Sequence, residues 1–120
     1  MLSDTNVILD GEWLTVPDIM ERAGASLATV RTWLEMRDLI GMRRGPNRAL
    51  MVPAGFVSDA GPMKALRGTF TVLADSGLSD DEILQWLGEV DESWTGGSAM
   101  GALHAGHKTE VRRRAMEVAS

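Results

Sequence analysis

"ASLATVRTWLEMRDLIGMRRGPNRALMVP", residues 25–53, decides how this chain folds. Ser26 is placed to cap a helix, because its hydroxyl can accept from an unpaired N–H of the first turn. Val30, Trp33 and Leu34 then recur at helical spacing, with Leu27 one turn earlier, and define an inward face. Ala28, Arg31, Thr32 and Glu35 recur on the opposite side and face water, with Thr29 beside them. Further on, Gly45-Pro46-Asn47 is turn chemistry set between two short apolar–polar runs, which predicts a β-hairpin. A hairpin that directly follows such a helix is a wing, and the tip of this one carries Arg43, Arg44 and Arg48.

The residues upstream complete a pattern. "EWLTV" predicts a short strand. Thr15 is a good N-cap, Pro17 suits a first helical turn, and Asp18 complements the positive end of the helix. Ile19, Met20 and Ala23 line an apolar face, and Gly24 stops the helix. Two short helices separated by a tight glycine-containing turn are a helix-turn-helix signature.

Charge is segregated along the chain. The formal total is −5 over 120 residues. Residues 26–57 nevertheless hold five arginines, at 31, 37, 43, 44 and 48, against Glu35 and Asp38, a local +3. Residues 58–95 hold eight acids against Lys64 and Arg67, a local −6. The mean charge argues against nucleic acid, but a local basic patch decides that question. A helix fits the ~12 Å major groove, and wing arginines suit phosphates or a narrow minor groove. Either feature alone is ordinary protein surface; the two in this order point to double-stranded DNA. The expected contacts are Ser26, Ala28, Thr29, Arg31, Thr32 and Arg37 on a helix over 26–37, and Arg43, Arg44, Asn47 and Arg48 on the wing.

The absences are also informative. Cysteine is missing, so neither a disulfide framework nor a thiolate metal site is expected, and a cytoplasmic location fits. No apolar run approaches the ~18 residues of a membrane span, and no secretory leader is expected. His104 and His107 lie near each other but have Gly106 between them and no obvious third ligand. "GGSAMGALHAG" is glycine-rich without being a Walker A loop or a dinucleotide fingerprint. Neither an enzyme, nor a metal, nor a cofactor is expected.

The second half is helical by its own pattern. Leu66, Phe70 and Leu73 share a face over residues 66–74. Ser79 to Glu82 forms the Ser-x-x-Glu capping box, ahead of Ile83, Trp86 and Leu87 on one stripe. The acids 80–82 therefore belong to a helix start. Ser98 is placed to cap a short turn of helix reaching Ala105. Val111, Ala115 and Val118 face inward on a last helix, with Arg112, Arg113 and Glu117 outward. Pairing of Arg112–Arg114 with the acidic surface is expected within one chain or across a homodimer.

Two resemblances rest on these residues. "LTVPDIMERAGASLATVRTWLEMRDLIGMRRGPNRALMVP" resembles the MerR/excisionase-like winged helix-turn-helix pattern, with its Thr-Val-Arg-x-Trp core. "ALRGTFTVLADSGLSDDEILQWLGEVDESW" and "GALHAGHKTEVRRRAMEVAS" are similar to the C-terminal region of a small actinobacterial family of winged-helix DNA-binding proteins. The resemblance covers about residues 12–120 and implies DNA binding, in transcription or as a nucleoid-associated factor. It also implies a Ser/Thr protein kinase as a partner, because the mycobacterial member is a kinase substrate on a longer tail; here the tail offers Ser3 and Thr5. The expected chain is mainly α with a small β-hairpin wing: a flexible tail over 1–11, a winged helix-turn-helix over 12–57, and a region of three C-terminal helices over 62–120 packed on it. The alternative function is a protein–protein interaction module whose acidic C-terminal surface binds a basic partner.

Overall fold

The computed structural model describes residues 5–118 and divides them into two compact units, residues 12–67 and residues 68–118 joined by the described part of 1–11. Residues 12–67 form a winged-helix-like fold. β1 (Trp13–Thr15) leads into α1 (Val16–Ala23), then α2 (Leu27–Glu35), β2 (Met42–Arg44) and β3 (Ala49–Pro53). The three strands form one antiparallel sheet in the order β1-β3-β2, with Leu14 opposite Val52 and Met42 opposite Met51. A single 3-10 turn at Ala54–Phe56 leads to a minimal second hairpin, β4 (Val57–Ser58) and β5 (Gly61–Pro62), which the sequence pattern does not suggest.

The local chemistry explains α1 and α2. Thr15 Oγ1 accepts from Asp18 N at 3.3 Å while Thr15 N donates to Asp18 Oδ2 at 3.0 Å, a closed capping box. Those two bonds, the backbone one first, hold the Asp18 carboxyl below its ordinary range, and Arg22 adds to the effect. α1 ends at Gly24 in the left-handed conformation (φ 62°), and two residues later Ser26 Oγ accepts from Thr29 N at 3.1 Å to start α2. Ile19, Val30, Leu39, Val52 and Phe56 are the fully buried centre of this unit.

The second unit is helical. α3 (Leu66–Asp75) crosses the boundary between the units; α4 (Asp80–Gly88), α5 (Ala99–His104) and α6 (Lys108–Glu117) follow. The short turn expected after Ser98 is a buried helix, α5, so this half has four helices among the described residues. Ser98 Oγ accepts from Gly101 N at 2.9 Å, and Ala99, Met100, Ala102 and Leu103 are all buried. Ala99 and Leu103 join Phe70, Leu73, Ile83, Leu84, Leu87, Val111 and Ala115 in the core. Val118, expected to face inward, is 37% exposed, because the helix ends at Glu117. Arg112, expected outward, is half-buried with its guanidinium against Gly68.

Residues 6–11 are anchored, in contrast to the loose tail expected over 1–11. Asn6 is buried; its side chain donates to Gln85 O at 2.9 Å and accepts from Ile8 N and Leu9 N at 3.0 and 2.9 Å. Val7 N donates to Gly88 O at 2.8 Å. An asparagine that nucleates its own turn gives no periodic signal, which is why the pattern misses this anchor.

At the start of α4, Ser79 Oγ accepts from Glu82 N at 3.3 Å and Ser79 N donates to Glu82 Oε1 at 3.0 Å. The backbone bond and then the hydroxyl bond lower the Glu82 pKa. A folded-state pKa below the unfolded one stabilises above the ordinary carboxylate range and is lost as pH falls through the lowered value. Ser79→Ala should therefore cost about 1 kcal/mol at pH 7. It should also shrink the acid-induced loss of stability below the unfolded pKa of ~4.3, measured by urea titrations at pH 7 and pH 3. An unchanged acid slope would separate the cap from the pH response.

Candidate nucleic-acid interface

α2 sends its two faces in the directions its spacing demands, with one exception. Val30 is fully buried, Trp33 and Leu34 are half-buried, and Ala28, Arg31, Thr32 and Glu35 are exposed. The exception is Leu27, expected inward but 40% exposed beside Ser26 at the first turn. Leu27 is at N1, where the dihedrals are already helical, so its direction follows the period, but the first turn is only partly covered. This leaves an apolar side chain among the polar ones, suited to a thymine methyl in a groove.

The hydroxyls of this face already have local duties. Ser26 Oγ caps the helix and donates to Thr29 Oγ1 at 3.0 Å, and Thr32 Oγ1 donates to Ala28 O at 3.0 Å. Each keeps lone pairs that can accept from a ligand. Arg31 has no hydrogen-bond or ion-pair partner among the described residues, and its five donors are open to solvent. Arg37 is half-buried, in the left-handed conformation (φ 61°) just after α2, with its backbone N–H donating to Leu34 O. The helix expected to reach residue 37 ends at Glu35, so Arg37 belongs to the turn that follows and not to the helix face.

The wing separates its arginines. Side chains on a strand alternate between faces, and β2 shows the alternation: Arg43 is exposed while Met42 and Arg44 are half-buried. Arg44 lies 4.2 Å above the centroid of the Trp13 ring and donates to Met42 Sδ at 3.7 Å. Arg43 Nη1 donates to Arg48 O at 3.3 Å across the turn, where Arg48 has φ 49°. Arg43, Asn47 and Arg48 are exposed at the tip. The three-arginine clamp read from the sequence is thus a pair on one side and a stacked arginine on the other. Trp13 is the residue that sequence reasoning missed; only the β1–β3 pairing brings it under the wing.

Electrostatics follow the division into units. Residues 12–67 hold eight Lys and Arg against six acids, a formal +2, whereas the rest of the chain holds four against eleven, a formal −7. The net acidity of the chain therefore does not describe the surface that carries α2 and the wing.

A chain with this arrangement has relatives. It is 31% identical over 116 residues to the DNA-binding protein Rv2175c of Mycobacterium tuberculosis (strain ATCC 25618 / H37Rv), an alignment spanning 87% of this chain and 78% of that protein. The chain belongs to the Rv2175c family. Residues 63–119 match the family model described as the Rv2175c C-terminal domain of unknown function. The NMR structure of Rv2175c superposes with a TM-score of 0.79 at 26% identity, over 100% of this chain and 94% of that one. The family resemblance drawn from the second half of the sequence is the one these comparisons find. None of the described helices is long and apolar enough to cross a membrane.

Proposed function

We propose that this protein is a double-stranded DNA-binding regulator of transcription and not an enzyme, with residues 12–67 acting as a MerR/excisionase-like winged helix-turn-helix. The observation that carries the reading is the succession of an exposed polar face on α2, with Arg31 unpartnered among the described residues, and a hairpin whose tip exposes Arg43 and Arg48. The relative Rv2175c, a DNA-binding protein, supports DNA as the ligand. In the proposed complex α2 enters the major groove. Leu27, Ala28, Thr29, Arg31 and Thr32 face base edges, Ser26 faces a nearby phosphate, and the wing follows the flanking backbone. Arg44 acts as a positioning residue that fastens the hairpin to β1 through Trp13. A helix this short offers few contacts, so a homodimer on two half-sites is part of the proposal. A Ser/Thr kinase acting on the tail is also part of it; Thr5 is exposed, and Ser3 lies outside the described residues.

The wing supplies the test. Binding to a random 20-base-pair duplex is measured at several salt concentrations. Each phosphate contact contributes about 0.9 to the slope of log K against log[salt]. Arg43→Ala with Arg48→Ala should flatten that slope by about 1.8 and weaken all sequences alike. Arg44→Ala should instead lower stability by about 0.5–1 kcal/mol, the worth of a half-exposed cation–π contact. A double variant with the wild-type slope would remove the wing from the interface.

A further inference from the structure

The helical unit contains a cleft that the proposed DNA contacts leave unused. It has a volume of about 280 Å³ and lies between the end of α4, the loop that follows and the end of α6. That is slightly below the ~300–1,000 Å³ of pockets that enclose drug-sized molecules, and it suits one long side chain. Its floor is aromatic. Trp94 is 7% exposed and meets Trp86 nearly perpendicularly (86°), with ring centroids 5.6 Å apart. Trp86 itself is only half-buried.

The fold already seats one guanidinium on this floor. Arg114 lies 3.5 Å above the Trp94 centroid and donates to Ser93 Oγ at 3.0 Å. Three carboxylates also line the cleft, and they differ in how far they are satisfied. Glu117 pairs with Arg113 at 3.2 Å. Asp91 accepts from Ser93 N at 2.8 Å, and its pKa is lowered by that bond, by the Ser93 hydroxyl and then by Arg114, so it stays charged. The carboxylate of Glu89 has no partner among the described residues, and it lies in a unit of formal charge −7. Val90, between the two acids in sequence, is 38% exposed, and Val118 lines the cleft at 37%.

We propose that this cleft is a docking site for a basic segment of a partner protein. An arginine or lysine side chain from that segment enters, its cation beside Glu89 and Asp91 and its methylene stem along Trp86. Charge complementarity selects a cation, the aromatic floor favours one with an apolar stem, and the exposed valines give a peptide contacts that a free ion cannot use. The site is independent of the DNA-binding reading, since every residue in it lies in the helical unit.

The test uses the full chain without DNA and an acetylated, amidated peptide of alternating Ala and Arg. The indole N–H signals of Trp86 and Trp94 are followed by NMR at low salt, with a citrulline-for-arginine peptide and with spermidine as the other arms. The arginine peptide should shift both signals saturably while the citrulline peptide does not, and spermidine should bind more weakly. Glu89→Gln should keep the fold and weaken the peptide by ~3- to 10-fold, as expected for an exposed charged contact. Three results would overturn the proposal. One is wild-type affinity in Glu89→Gln. Another is spermidine binding as tightly as the peptide, which would assign the cleft to small cations. The third is a self-associated form in sedimentation that Glu89→Gln dissolves, which would make the occupant a second copy of this chain.

Discussion

Gly101→Ala is expected to destabilise the helical unit by about 2 kcal/mol and to lower its melting temperature by about 8 °C. The sign is not obvious from propensity, because alanine in a helix interior is worth about 1 kcal/mol more than glycine. The structure decides it. A Cβ at Gly101 would run into the carbonyl oxygen of Gly96, which itself holds φ 86° in the loop that folds back over α5. Both parties are backbone, so neither can rotate away, and the cost belongs at the upper end of the ~1–3 kcal/mol of overpacking. Gly68→Ala is the control. The nearest atoms to its added methyl all belong to the guanidinium of Arg112, the far end of a flexible side chain, so the propensity gain should roughly cancel the crowding. Thermal melts followed by near-ultraviolet circular dichroism compare the two. A Gly101→Ala variant as stable as Gly68→Ala would mean that the loop does not press on the helix.

That glycine pair explains the stretch "GGSAMG", which in the sequence is only a glycine-rich run without a phosphate-binding pattern. Close approach of two backbones is a tertiary fact, and no local rule reports it. The parts of the fold that were legible are those whose cause is local. Thr15, Ser26, Ser79 and Ser98 cap their helices because the hydroxyl and the N–H it serves lie within three residues. The hairpin was legible from Gly45-Pro46-Asn47 for the same reason. The Asn6 anchor and the burial of α5 depend on partners far along the chain, and they were not; the β4–β5 hairpin is local, with Val57 opposite Pro62, but strands of two residues are too short to carry a period-two signal.

The candidate interface divides the same way. The outward set on α2 follows from a 3.6-residue period and is exposed as expected, and Leu27 is exposed as well because the first turn is only partly covered. Period two along β2 could have shown that Arg43 and Arg44 face opposite ways, since adjacent strand residues always do. The destination of Arg44 could not be read, because Trp13 lies on a strand 31 positions earlier and reaches the wing only through β3. Likewise, the arginines of α6 were expected to pair with the acidic surface, and only Arg114, near Asp91, answers to that. Arg113 pairs within its own helix, and Arg112 turns inward.

Trp33→Ala and Arg31→Ala should have opposite consequences although they lie two residues apart. Trp33 is half-buried, and its indole ring packs on Gly61 in the β4–β5 turn, where φ is 102° and an added Cβ would come within 3.1 Å of Trp33 Cζ2. Its carbonyl oxygen also accepts from Asp38 N at 2.8 Å and Leu39 N at 3.2 Å, the turn that leads α2 into the wing. Removing the ring leaves a void between α2 and that hairpin, at a cost of about 3 kcal/mol, the low end for a large aromatic because part of the ring is already in water. Arg31→Ala removes an exposed side chain with no partner among the described residues, so stability should change by less than about 0.5 kcal/mol. If Arg31 reads a base edge, discrimination between a selected duplex and a random one should fall by about 1–3 kcal/mol. Urea denaturation followed by Trp fluorescence reports the first effect in Arg31→Ala, and far-ultraviolet circular dichroism reports it in Trp33→Ala, where the probe is altered. Competition binding with the two duplexes reports the second. Full discrimination in Arg31→Ala would take α2 out of the groove, whereas a stable Trp33→Ala variant would invert the two faces of the helix and with them the whole proposed interface.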